Sequence, residues 1–188
     1  MNLNMHPNFV ERLKHYQALN SARLQDAVRA MLPSARKFLA YLPILLHYNL
    51  PNIPGFREHD LPYGIDGFVP DAEQIKILQH FGLSAPFSQK PAAYSIYALY
   101  AMGSTSSIAQ GPHSDLDIWV CISKTIPVHA VKALAEKCQF ISSLGKTYGV
   151  EVNLFVTSED RFISGEHGAL DTENCGSAQS LFLLDEFY

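Results

Sequence analysis

Ser114-Asp115-Leu116-Asp117-Ile118-Trp119-Val120-Cys121-Ile122 is the stretch on which the fold of this chain turns. From Leu116 to Ile122 it reads as a strand, on which alternate residues share a face with Cα atoms roughly 6.5 to 7 Å apart. Asp115 and Asp117 therefore point the same way, while Leu116, Ile118 and Val120 take the opposite face and supply its burial. Two carboxylates so placed can converge on divalent cations about 3.5 to 4 Å apart, the arrangement that stabilises attacking and leaving oxygens in phosphoryl and nucleotidyl transfer. A bare D-x-D more often marks a solvated edge strand, so the surroundings decide.

Upstream, Tyr94 to Met102 reads as a buried strand running into Gly103-Ser104-Thr105-Ser106-Ser107, where a short helix starts. Gly103 lets a phosphate approach the backbone, and the Ser104 hydroxyl with nearby N–H groups can donate to its oxygens. Alone, Gly103-Ser104 is ordinary turn and N-cap chemistry. Strand, Gly-Ser turn, short helix and D-x-D strand together favour phosphate and metal handling.

Downstream, Val128 to Tyr148 has the pattern of an amphipathic helix ended by Gly149, and Val150 to Val156 that of a third strand. That strand offers Glu151 as a third carboxylate, with Asn153 on the same face as a reserve ligand; a surface position at the start of a strand explains Glu151 equally well. Trp119 shares the Asp115/Asp117 face, where stacking on a base and packing as a core aromatic both suit it. His113, in the Gly111-Pro112-His113 turn, fits a solvated position better than a phosphate contact. Lys124, Lys132, Lys137, Lys146 and Arg161 are the candidates for a triphosphate-binding cation, among which the pattern does not choose, and most of them read as solvated helix or loop positions.

The N-terminal half is helical. Apolar residues recur at helical spacing from Asn8 to Met31, and a second run follows Pro33 through Leu46, which predicts a helical hairpin. Residues 49–70 hold enough proline and glycine to demand irregular chain. Asp71 with Gln74 is a capping-box pattern for a helix through about Phe81. The fold class is α+β: a mixed sheet flanked by helices, with a helical segment over 1–90 packed on a core over 91–188. Ser177 to Tyr188 has helical spacing and no stop signal, so the polypeptide reads as a fragment.

Composition narrows the function. The 188 residues are 47% hydrophobic and 17% charged, a globular profile rather than a disordered one. A net charge of −4 argues against a nonspecific nucleic-acid binder. Cys121, Cys138 and Cys175 are too scattered for a zinc site or a disulfide framework. The first residues lack a secretory signal, and the longest apolar tract, Phe38 to Tyr48, is about half the ~20 residues of a membrane span. These features predict a cytoplasmic protein without a membrane span.

Gly103-Ser104-Thr105-Ser106-Ser107, Ser114 to Cys121, Glu151-Val152 and Leu183-Leu184-Asp185-Glu186-Phe187-Tyr188 closely resemble the N-terminal catalytic region of the class I, enterobacterial-type adenylate cyclases. Leu42-Pro43, Leu45-Leu46-His47-Tyr48 and Cys175-Gly176-Ser177 extend the resemblance over most of the chain; Gly111-Pro112-His113 departs from the serine-rich stretch that the family suggests. The resemblance implies a nucleotidyltransferase fold of the DNA polymerase β type, ATP as substrate, cyclic AMP as product, and two Mg2+ ions, with Mn2+ as a substitute. It implies Ser104 and Ser114 at the phosphates, Asp115 and Asp117 at the metals, and Trp119 in the active site, beside the Gly103 and Glu151 already read from the pattern. It further implies a longer polypeptide whose C-terminal part meets a regulatory partner linked to sugar uptake. Transfer to an external acceptor and a noncatalytic nucleotide-binding module are the alternatives.

Overall fold

The structure is a computed structural model and describes residues 7–83, 95–106, 109–158 and 160. In chain order they form α1 (Pro7–Ala30), α2 (Pro33–His47), α3 (Ala72–His80), β1 (Ile96–Met102), a single 3-10 turn (Gly103–Ser106), β2 (Leu116–Ile122), α4 (Val128–Thr147) and β3 (Val152–Ser158). The expected terminal helix from Ser177, Cys175-Gly176-Ser177 and Arg161 lie outside the described residues.

The sheet has the order β1-β2-β3, with β1 antiparallel and β3 parallel to the central β2. The α+β architecture is thus as the sequence indicates. The parallel pair needs a crossover, and α4 supplies it, packing on β3. Its last turn carries Gly145 because the sheet is so close: an added Cβ would stand 2.9 Å from Val152 Cγ2 and 3.1 Å from the Val150 carbonyl oxygen. β3 starts two residues later than its pattern suggests. Gly149, at φ +69, turns the chain out of the helix, and the Val150 N–H is spent on the Gly145 carbonyl at 3.0 Å, so neither residue joins the ladder.

One apolar core joins the helical half to the sheet: Phe38, Leu42, Leu45 and Leu46 of α2 with Leu116, Ile118 and Val120 of β2 and Leu134 and Ile141 of α4. Asp71 caps α3 as predicted, accepting from the Glu73 and Gln74 N–H groups while Gln74 answers to the Asp71 N–H. The irregular stretch is more than a connector. Ile65 makes a parallel bridge to Ile96, and the Ile65 N–H donates to Nδ1 of buried His47, fastening the end of α2 to the start of β1.

The predicted hairpin takes a different form. The apolar face of α2 is engaged by α3 and α4, and α1 packs chiefly against the 3-10 turn. Burial in α1 begins near its end at Ala27, and Tyr16, Leu19 and Leu24 each keep 45% of their surface exposed. Among the described residues no helix is long and apolar enough to cross a membrane.

Candidate active site

β2 is the middle strand, so its acids do not lie on a solvated edge. Asp117 is in register with Met102 of β1 and Asn153 of β3 and is only 7% exposed. Asn153 Nδ2 donates to Asp117 Oδ1 at 3.0 Å, which makes it this carboxylate's partner in the structure. Asp115, half-buried, immediately precedes β2. The Leu116 N–H donates to the Glu151 carbonyl at 2.9 Å, and the β2–β3 register continued back one residue aligns Glu151 with Asp115. The Glu151 side chain is exposed. Among the described residues no three His, Cys, Asp or Glu side chains are gathered closely enough to hold a metal ion.

The Met102–Asp117 pairing also fixes where β1 ends, bringing the turn that follows it to the acid end of β2. Gly103 there has φ +59, a left-handed conformation that favours glycine. The expected short helix is one 3-10 turn, so any anion would meet individual N–H and hydroxyl groups rather than the end of a long helix dipole. Ser104 Oγ donates to Gln110 Oε1 at 3.0 Å and buried Thr105 Oγ1 to the same oxygen at 2.9 Å. Gln110 Nε2 donates to the Gly111 carbonyl at 3.2 Å. The Gly111 N–H donates to Ser114 Oγ at 2.9 Å, and the Ser114 N–H returns a bond to the Gly111 carbonyl at 3.3 Å. Sequence reasoning missed Gln110 and Thr105, because one polar residue before a Gly-Pro turn and one hydroxyl in a Ser/Thr run carry no periodic signal.

Trp119 is buried on the acid face, between Tyr100 and Phe155 in register. Cys121 follows it on that face, and burial raises its pKa, keeping it a thiol. His113, Lys124, Lys132 and Lys146 are exposed. Lys137 is the exception among the lysines, being buried in α4 against the helical half, and its reading as a solvated residue is corrected by the packing of α4 on α2.

A serine-bearing turn and an acid pair meeting at one end of a mixed sheet make a candidate site for a phosphate-bearing ligand. The chain belongs to the adenylate cyclase NT domain family, whose model matches residues 9–188. It is 40% identical over 184 residues to a protein named adenylate cyclase from Shigella flexneri, a match covering 96% of this chain and 22% of that relative. Proteins of the same name from Escherichia coli strain K12 and Yersinia pestis are 39% and 38% identical with the same coverage. The chain therefore spans about a fifth of the length of these curated relatives. No solved structure matches it.

Proposed function

We propose that the chain is the catalytic region of an adenylate cyclase of the class I type, built on a nucleotidyltransferase-like core over 91–188 with the helical segment 1–90 packed against it. It would convert ATP to 3′,5′-cyclic AMP and pyrophosphate in the cytoplasm. The observation that carries this reading is the Met102–Asp117 register, which brings the Ser104 turn to the acid pair. Phosphate donors and charge-bearing oxygens at one end of a sheet are what nucleotidyl transfer needs.

The donor chemistry fits Mg2+ or Mn2+: the carboxylates of Asp115, Asp117 and Glu151 are hard oxygen donors, and the β2–β3 register continued back one residue sets Glu151 beside Asp115. Bound there, two such ions would supply Lewis-acid neutralisation of the phosphates. The protein's own part is positional. Gly103 leaves room for the phosphate chain, Ser104 and Ser114 donate to it, and Trp119 floors the face on which the nucleoside rests. The ribose 3′ oxygen bonds to the α-phosphorus as the bond from that phosphorus to the pyrophosphate oxygen breaks; the hydroxyl proton passes to Glu151, exposed to return it to water. The free thiols of Cys121 and Cys138 suit a reducing compartment. Most of the relatives' length lies outside the match, and we assign any regulatory partner to that part.

Product analysis on the natural full-length polypeptide with Mg2+ and ATP tests this. Cyclic AMP and pyrophosphate in equal amounts support it; an adenylylated acceptor, or ATP binding without turnover, contradicts it. The 188-residue chain alone is expected to bind ATP weakly and form little product, and turnover equal to that of the full-length polypeptide would show that nothing further is needed.

A further inference from the structure

We propose that Gln110 is a positioning residue for the nucleotide, locking the Gly103–Ser106 turn to the Gly111–Ser114 loop so that Ser104 and Ser114 meet one phosphate chain; this rests on ATP being the ligand of the site. The geometry allows only one orientation of its amide. Two hydroxyls converge on the side-chain oxygen, Ser104 at 3.0 Å and Thr105 at 2.9 Å, and a carbonyl receives the nitrogen at 3.2 Å. A hydroxyl can donate to the oxygen or accept from the NH2 group, but the Gly111 carbonyl can only accept, so it draws the nitrogen and leaves the oxygen to the two hydroxyls. Gln110 is 8% exposed and Thr105 1%, so leaving either unpaired is costly, and the junction is fixed rather than incidental.

The polarity of the hydroxyls gives the junction its use. Ser114 Oγ accepts from the Gly111 N–H, which leaves the Ser114 proton for a phosphate oxygen. Ser104 has one proton, and the structure gives it to Gln110. When a phosphate arrives, that hydroxyl can turn to it without orphaning Gln110, because Thr105 keeps the amide oxygen satisfied. Gln110 thus holds Ser104 as a phosphate would. The loop it anchors also leads directly into Asp115, so the same contact fixes the approach to the acid pair.

The test is a double-mutant cycle between Ser104 and Gln110 in the natural full-length polypeptide, read as kcat and KM for ATP. Gln110→Met, similar in volume and unable to accept from hydroxyls as an amide does, is expected to raise KM about tenfold while kcat falls less than about threefold. In a Ser104→Ala background the same change should cost about threefold, because the part of its effect that runs through Ser104 is already gone and only the placing of the Ser114 loop remains. Equal cost in both backgrounds overturns the proposal. Gln110→Glu keeps it falsifiable if Gln110→Met folds poorly. A protonated carboxyl reproduces the amide's acceptor and donor, whereas the ionised form faces the Gly111 carbonyl without a proton and grips the Ser104 hydroxyl. Its KM for ATP, relative to the unaltered protein, should rise about tenfold from pH 5 to pH 8, and a flat ratio overturns the role. If Ser104→Ala weakens ATP binding but neither Gln110 variant does, only the role of Gln110 falls. If the unaltered protein binds no ATP, the nucleotide reading falls and takes this role with it.

Discussion

Asp117 at the end of the sheet and Lys137 where α4 packs against the helical half are both nearly sealed from water, at 7% and 2% exposed, yet their surroundings differ in kind. Around Asp117 the chain supplies donors: the Asn153 amide bonds the carboxylate directly, and nearby the hydroxyls of Ser104 and Thr105 are held by Gln110 and that of Ser114 by the Gly111 N–H. Around Lys137 it supplies little, a 3.4 Å bond to the Tyr48 carbonyl, and burial lowers the ammonium pKa to about 8. The adjacent Cys138 thiol is pushed up to about 12 by its own burial, and His47 is lowered by burial while its Nδ1 accepts from Ile65. The seam between α4 and the helical half pushes its ionisable groups toward neutrality, whereas the acid end of the sheet gives its buried carboxylate a donor. Buried polarity marks a functional site where donors accompany it and a structural compromise where they do not.

Four substitutions break or sharpen that contrast. Asp117→Asn, in the natural full-length polypeptide, should lower cyclase turnover by roughly a thousandfold and leave the fold intact, since a carboxylate in a metal clamp is worth several kcal/mol and each 1.36 kcal/mol is tenfold. Near-normal turnover at saturating Mg2+ would place Asp117 with Lys137 as a structural group. Gly145→Ala tests the apolar seam between α4 and β3. Alanine gains about 1 kcal/mol in helix propensity, but the Cβ contact at 2.9 Å should win, and denaturant melts should show a net loss of about 1 to 3 kcal/mol.

Lys137→Met carries the opposite sign. A folded-state pKa near 8 against 10.5 means that the unfolded chain binds more protons between those values, so stability is fully present above 10.5 and is lost as pH falls to about 8. The penalty below pH 8 is about 3 kcal/mol at most. The variant should therefore be more stable at pH 7 by about 1 to 2 kcal/mol, with a flatter profile between pH 8 and 10.5 in chemical denaturation. The smallest effect is expected at His47. Its folded pKa lies below 6.5, so its contribution is complete above 6.5 and fades as pH falls through the folded value, when Nδ1 gains a proton and can no longer accept from Ile65. His47→Asn, retaining an acceptor without titrating, should make acid melts between pH 6.5 and 4 less steep.

The periodic parts of this fold were legible in the sequence. β2 begins and ends where its apolar run does, and Asp71 with Gln74 announced the start of α3, because alternation and capping are local. The core face of β2, Leu116, Ile118 and Val120, followed from the same alternation. What was not legible depends on contacts between distant segments. The partner of α1, the burial of Lys137 and the late start of β3 are decided by how α2 and α4 pack and by how α4 spends the Val150 N–H. Gln110 was invisible for another reason: its importance comes from two hydroxyls folding back onto it, and nothing in its immediate neighbours encodes that.

The central claim is that the acid end of this sheet holds a metal-bound nucleotide. A crystal structure of the natural full-length polypeptide with a non-cyclisable ATP analogue and Mg2+ tests it most directly. Asp115 and Asp117 oxygens are expected about 2.1 Å from an ion, with Glu151 drawn in beside them and a phosphate oxygen within about 3 Å of the Ser104 hydroxyl. A nucleotide bound elsewhere, with Asp117 still paired to Asn153 and no ion on the acid face, would contradict it.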